Sequence, residues 1–311
     1  MRVLFMGTPK FACPVLSSLI DNYEVVGVVS QPDKKVGRKQ ILTPTPTKEL
    51  ALEHDIPVFQ PVKIREDYED VLKCKPDIIV TCAYGQIIPK EIIDCPKYGC
   101  INVHASLLPK YRGGAPIHRA IMNGDQKTGI TIMYMDEGMD TGDIISSEEV
   151  VIEESDNLET LSLKLSDIGA KLLISTIPSI IDGTRVRTKQ NEDEVTYAYN
   201  ISSEEEHIDF NKNSREIYNL IRALSPNIGA YFMLDEERVK VYKSRIGTNK
   251  YDNIGVINNI YKDGIGISTS DGEIILEEIQ VSGKKRMPVS SYLNGIKKDV
   301  LVGKELKWKT F

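Results

Sequence analysis

Nowhere in the 311 residues is there an apolar run approaching the ~20 residues that a bilayer-crossing helix needs. The opening stretch, MRVLFMGTPKF, holds only a five-residue apolar run after Arg2, too short for the apolar region of a secretory signal. The chain is therefore expected to be soluble and cytoplasmic, with no membrane partner. Cysteine is scarce as well: five residues, Cys13, Cys74, Cys82, Cys95 and Cys100. An odd number flanked mostly by apolar residues reads as packed, reduced thiols rather than a disulfide framework. Cys95 and Cys100 have no second pair to complete a zinc site, so no metal is expected. A Gly-x-Ser-x-Gly elbow is also missing, which removes the serine-hydrolase route to an acyl-enzyme.

What is present is an ordinary globular balance, 41% hydrophobic and 27% charged, on a chain long enough for two domains. In the first half, short apolar runs alternate with amphipathic segments. Strands are expected at Arg2–Met6, Glu24–Ser30, Asp77–Thr81 and Cys100–Val103, with helices at Phe11–Ile20, Pro46–His54, Glu66–Cys74 and Pro89–Asp94. Near-continuous apolar strands between helices imply a mostly parallel, Rossmann-like α/β sheet covered on both faces. Ligands then belong at its carboxyl edge. The turn after the first strand, Gly7-Thr8-Pro9-Lys10-Phe11-Ala12, has one glycine where the dinucleotide fingerprint needs three, which disfavours a nicotinamide enzyme.

Gly129–Met135 and Ile144–Ile152 read as two further strands. Ser155 or Asp156, with Glu159 reaching back, is expected to cap a long helix ending near Ile181. The domain expectation is a catalytic unit over 1–182, a polar, acidic linker over 183–207 and a second domain over 208–311. In the last of these, a helix (Ser214–Ala223) precedes short strands punctuated by Asp263-Gly264 and Asp271-Gly272. Such spacing suggests a small antiparallel barrel.

Charge is unevenly spread. Residues 207–311 hold 17 Lys+Arg against 13 Asp+Glu, a net of +4, so a whole-chain charge of −6 leaves −10 on residues 1–206. A basic C-terminal third on an acidic protein is compatible with docking a polyanion there.

The richest stretch is Asn102-Val103-His104-Ala105-Ser106-Leu107-Leu108-Pro109-Lys110-Tyr111-Arg112-Gly113-Gly114. Asn102 and His104 alternate on a strand, so both face the same side of the sheet at its carboxyl end. Asp140 lies in an acidic, glycine-bearing loop between two strands. Acyl transfer to an amine develops a tetrahedral oxyanion and releases a proton from the attacking nitrogen. An Asn amide and a His can stabilise the oxyanion, and a carboxylate can orient the His or help move the proton. With no cysteine beside this His in sequence, the amine is expected to attack directly.

Asn102, His104 and Asp140, with the Ser106-Leu107-Leu108-Pro109 run, resemble the signature of the folate-dependent formyltransferases. Gly7–Ala12, Gln31-Pro32-Asp33, Ala83–Pro89 and Arg222-Ala223-Leu224-Ser225-Pro226 are similar to the branch acting on charged tRNA. The resemblance implies 10-formyltetrahydrofolate as donor and initiator methionyl-tRNA as acceptor, with no DNA partner. It implies catalysis by Asn102, His104 and Asp140, and a pterin held by Tyr84, Gly85, Gln86, Ile87 and Ile88 and by Asp136, Glu137, Gly138, Met139 and Asp140. Ser106, Leu107, Leu108 and Pro109 would line the folate site, and the C-terminal domain would be an OB-like barrel. The basic loop Lys34-Lys35-Val36-Gly37-Arg38-Lys39-Gln40 would meet the acceptor stem through Lys34, Lys35, Arg38 and Lys39. Phe11 would help enclose the methionine side chain. The chain departs from the pattern at Asn200, where the family commonly has Lys, and at Asn227-Ile228, where it often has Trp-Pro. The competing readings are a formyltransferase for a small amine, a formyl-folate hydrolase, and a folate- or tRNA-binding protein without catalysis.

Overall fold

The apolar run after Arg2 becomes strand β1 (Arg2–Gly7), whose residues Val3 to Met6 are completely buried. The structure, a computed structural model, describes residues 1–37, 39–295 and 300–306. The chain divides into two compact units: 1–116, 127–151 and 162–199 form the first, and 117–126, 152–161 and 200–311 the second.

In the first unit the elements after β1 are α1 (Cys13–Asn22), β2 (Glu24–Val29), β3 (Lys34–Val36), β4 (Ile41–Thr43), α2 (Pro46–Glu53), β5 (Val58–Phe59), α3 (Glu69–Lys73), β6 (Ile78–Cys82), α4 (Lys90–Ile93) and β7 (Cys100–His104). After α5 (Pro116–Met122), which falls almost wholly in the second unit, come β8 (Lys127–Tyr134), β9 (Ile144–Val151) and α6 (Leu158–Ile181), whose first turn also falls in the second unit. Seven strands form one sheet in the order β5-β2-β1-β6-β7-β8-β9. The pairs from β5 to β7 are parallel, while β8 runs antiparallel to β7 and β9 antiparallel to β8. Parallel strands buried on both faces explain the unbroken apolar runs, and the β8–β9 hairpin closes one end of the sheet. One core layer joins Leu4, Met6, Val29 and Ile79 to Tyr84, Ile88 and Ile92.

Two local expectations are corrected. The basic segment 34–40 is not a loop throughout: Lys34, Lys35 and Val36 pair with Thr43, Leu42 and Ile41 in a two-stranded hairpin exposed along both strands. The cap of α6 is Asn157, not Ser155 or Asp156. Its Oδ1 accepts from Thr160 N at 3.0 Å while Thr160 Oγ1 accepts from Asn157 N at 3.0 Å, so a threonine replaces the expected Glu159.

The second unit is built on α7 (Ser214–Leu224), β10 (Ala230–Leu234), β11 (Glu237–Ile246), β12 (Ile257–Ile260), β13 (Ile265–Ser268), β14 (Glu273–Val281), β15 (Met287–Pro288) and α8 (Val289–Leu293). Its strands form an antiparallel sheet in the order β10-β11-β14-β13-β12, with β15 on β14. Asn213 and Glu216 cap α7 reciprocally. The helix turns Ile217, Ile221 and Leu224 into a core with Phe232, Val241, Ile267 and Leu276. Glu273, at the start of β14, is wholly buried. Its carboxylate accepts from the Tyr261 hydroxyl at 2.9 Å, the Tyr251 hydroxyl at 3.3 Å, and the Asn249 and Asn259 amides at 3.3 and 3.2 Å. Four neutral donors fill its two oxygens, and among the described residues no cation pairs with it.

Candidate active site

β7 ends at the carboxyl edge of the sheet with Asn102 and His104 on one side, as the alternation requires. Asn102 is fixed by Thr81 of the neighbouring β6, whose hydroxyl donates to Asn102 Oδ1 at 2.9 Å. With its oxygen held, the amide presents its NH2, for which no protein acceptor exists among the described residues. His104 is 6% exposed, and its Nε2 lies 3.0 Å from the Tyr111 carbonyl. A carbonyl only accepts, so Nε2 carries the hydrogen and the neutral ring keeps its lone pair on Nδ1. Nδ1 faces Asp140 Oδ2 at 3.7 Å, too long for a hydrogen bond but close enough to stabilise an imidazolium.

With Nε2 of His104 taken by the Tyr111 carbonyl, the open groups are its Nδ1 and the Asn102 amide. The side chain is poised to accept a proton on Nδ1, and the open donor is Asn102.

Asp140 itself is clamped. Its Oδ2 accepts from Gly113 N at 2.8 Å, and its backbone adopts φ 54°, in the left-handed region that costs a non-glycine residue energy. One amide holds that conformation: Gln190 Nε2 donates to the Asp140 and Gly142 carbonyls, both at 2.8 Å. Gly142 is required here, since a Cβ would stand 1.9 Å from the Tyr134 carbonyl. Gln190 is oriented in turn by Arg112, whose Nε donates to Gln190 Oε1 at 3.0 Å and whose NH2 groups grip Glu192. That hydrogen bond draws the Glu192 carboxyl below its ordinary range and raises the guanidinium. Thr81, Arg112 and Gln190 were not singled out from sequence. Arg112 had a signal, a cation inside the glycine-bearing loop, but Thr81 lay inside an apolar strand and Gln190 inside an acidic connector.

The loop after His104 turns through a cis Leu108–Pro109 bond. Ser106 is buried and donates to the Lys110 carbonyl at 2.6 Å; Leu108 is buried, and Leu107 and Pro109 are half-buried. In the Tyr84–Ile88 loop the Tyr84 ring joins the core. Among the described residues its hydroxyl has no hydrogen-bond partner, and burial pushes its pKa up to about 12. What Tyr84 offers the loop is a carbonyl, which accepts from Thr8 Oγ1 and Gln31 Nε2. Gln86 is a brace whose Oε1 accepts from Ile64 N at 2.9 Å; Gly85 has φ 87°; Ile88 is buried; Ile87 is exposed.

Asp136, Glu137 and Gly138 line a cleft of about 380 Å³ with Lys90, Ile93, Asp94 and Met135. Met139 is exposed. Lys34, Lys35 and Lys39 are exposed on the β3–β4 hairpin, whereas Arg38 lies outside the described residues. Phe11 is half-buried, and its carbonyl accepts from Ser166 Oγ at 2.7 Å. Among the described residues no three His, Cys, Asp or Glu side chains gather as a metal site, and no helix is long and apolar enough to cross a membrane.

The formyl transferase family model matches residues 1–177, and the formyl transferase C-terminal domain model matches 200–297. The chain belongs to the formyl transferase family. A methionyl-tRNA formyltransferase from Bacillus thuringiensis subsp. konkukian (strain 97-27) is 53% identical over 96% of this chain and 97% of its own length. The N-formyltransferase of Helicobacter canadensis, solved in complex with folinic acid and dTDP-3-aminofucose, is 25% identical. Its TM-score is 0.67 over 89% of this chain and 98% of that one. A methionyl-tRNA formyltransferase from Clostridium thermocellum, 21% identical, shares the fold at a TM-score of 0.55, over 79% of this chain and 94% of that one.

Proposed function

We propose that this protein transfers the formyl group of 10-formyltetrahydrofolate to the free amine of initiator methionyl-tRNA, in the cytoplasm. Relatives of about half-identical sequence along almost the whole chain are named methionyl-tRNA formyltransferase. The observation that carries the mechanism is His104, with Nε2–H committed to the Tyr111 carbonyl and Nδ1 open toward Asp140, beside the undonated amide of Asn102.

Asn102 donates to the formyl oxygen as the amine adds and charge develops on it. The new C–N bond leaves a proton in excess on the attacking nitrogen, and His104 Nδ1 takes it. The resulting imidazolium is stabilised by Asp140. Collapse of the oxyanion breaks the bond to the folate nitrogen, which departs with the proton that His104 returns. Every step uses side chains of the first unit and none needs an acyl-enzyme.

The folate site comprises Ser106, Leu107, Leu108 and Pro109, the loop Tyr84–Ile88, and Asp136, Glu137, Gly138 and Met139. The support is chemical: the cleft beside Asp136–Gly138 is polar, with Lys90 at its edge facing Asp94 at 3.4 Å and Glu137 at 3.6 Å. Catalysis belongs to 1–182 and RNA docking to the basic 208–311, joined by 183–207. Lys34, Lys35, Arg38 and Lys39 meet the acceptor stem, and Phe11 borders the methionine pocket.

The test is direct. Incubated with 10-formyltetrahydrofolate and charged tRNAs, the protein yields formylmethionyl-tRNA, and raising salt weakens tRNA use while sparing the folate donor. Formylation only of small amines such as nucleotide-linked amino sugars, or hydrolysis of the donor with no amine product, overturns the reading.

A further inference from the structure

Two tyrosines beside this site have no part in the chemistry above. Tyr197 and Tyr199 flank Ala198, which is wholly buried, so alternation along an extended segment turns both rings to the same outward side. The rings stack, with centroids 5.6 Å apart and planes inclined by 13°, yet they remain 49% and 61% exposed. Flat aromatic surface left open to water, already stacked, is a ready partner for another flat π face.

The pair is fastened to the catalytic loop. Arg112 N donates to the Thr196 carbonyl at 2.9 Å, Ala198 N to the Arg112 carbonyl at 2.7 Å, and Tyr111 N to Thr196 Oγ1 at 2.9 Å. Gly113 permits the approach, since a Cβ there would meet the Ala198 carbonyl at 3.0 Å and its φ is 118°. Tyr111 is the residue whose carbonyl fixes His104. The stack is thus registered to the catalytic histidine through one short run of backbone.

We propose that Tyr197 and Tyr199 form the stacking platform for the unpaired 3′-terminal bases of the charged tRNA. This rests on the reading that the acceptor is a charged tRNA. Such an acceptor presents its amine on an ester of the terminal ribose, only a few bonds from the terminal base. That base must therefore lie near His104 whenever the amine does. Unpaired bases are held on aromatic side chains in just this manner, independent of sequence. The 3′ end has no complementary strand, so stacking is the main way to hold it still. The rings of the folate donor are the other flat groups present, and the test separates the two.

Steady-state kinetics of the full chain decide it. In the double variant Tyr197→Leu, Tyr199→Leu, the KM for charged tRNA rises on the order of ten-fold, while the KM for 10-formyltetrahydrofolate stays at the native value. The unchanged donor KM reports an intact first unit. The Tyr197→Phe, Tyr199→Phe variant recovers most of the loss, because stacking needs the ring and not the hydroxyl. Trimming the unpaired 3′ nucleotides from uncharged tRNA weakens its binding to the native protein and has little further effect on the Leu variant, the non-additivity expected of partners in contact.

A native tRNA KM in the Leu variant, additive effects of trimming and substitution, or a raised donor KM in place of the tRNA effect overturns the proposal. A native protein that does not formylate charged tRNA overturns the functional reading, and this with it; an active native protein with an unaffected Leu variant overturns the platform alone.

Discussion

His104 in the first unit and Glu273 in the second are both buried titratable side chains set on sheet strands, and their surroundings differ in kind. Around Glu273 two tyrosine hydroxyls and two asparagine amides point at two carboxylate oxygens, so nothing is left to offer a ligand. Around His104 the polar groups are only partly satisfied. Asn102 keeps its NH2 open, Nδ1 faces a carboxylate beyond hydrogen-bond range, and Asp140 sits in a left-handed conformation held by Gln190. Buried polarity by itself therefore does not mark a reactive centre. Open hydrogen-bonding capacity, maintained by a supporting frame, does.

The contrast is broken or sharpened first by removing the reactive groups. His104→Ala, Asn102→Ala and Asp140→Ala are each expected to lower kcat by roughly 10²–10³-fold, the cost of losing a transition-state donor or its equivalent, with thermal unfolding little changed. Near-native turnover in a folded His104→Ala protein would dismiss the mechanism.

Glu273→Ala is expected to do the reverse. Four donors lose their acceptor, and the unfolding free energy of the second unit falls by about 3 kcal/mol or more, read from denaturant titration. Per folded molecule, turnover on the formyl donor is retained. A large loss of kcat with unaltered stability would erase the distinction between the two sites.

A smaller effect concerns pH. In the second unit, burial of His118 on α5 lowers its pKa to about 4, from an unfolded value near 6.5. Between those values the unfolded chain holds more protons, so stability falls as pH drops through that window and is fully present above it. The hydrogen bond from Arg119 holds Glu205 at about 2, and its contribution is lost lower still, as pH falls from about 4.5 toward 2. Melting temperatures measured from pH 7 to 4 should decline, by an amount on the order of 1–2 kcal/mol in stability, and His118→Asn should flatten that slope. An unchanged slope in the variant would assign the acid sensitivity to other groups.

Much of this was legible in the chain. The apolar runs Val3–Met6 and Ile78–Val80 dictate buried strands because no polar residue interrupts them. The step of two between Asn102 and His104 dictates a shared side, a property of the pleat and independent of the rest of the fold. The helix expected over Ser214–Ala223 forms as α7, because its apolar spacing alone gives it a buried stripe.

Only the tertiary structure decided what these residues do. The tautomer of His104 depends on the Tyr111 carbonyl seven residues away, and the open end of the Asn102 amide depends on Thr81 from another strand. Asp140 is held by Gln190, 50 residues further on, through two carbonyls that any residue type could supply. Periodicity records which face a side chain takes. It carries no trace of which backbone groups arrive there from elsewhere, because a carbonyl is the same in every residue.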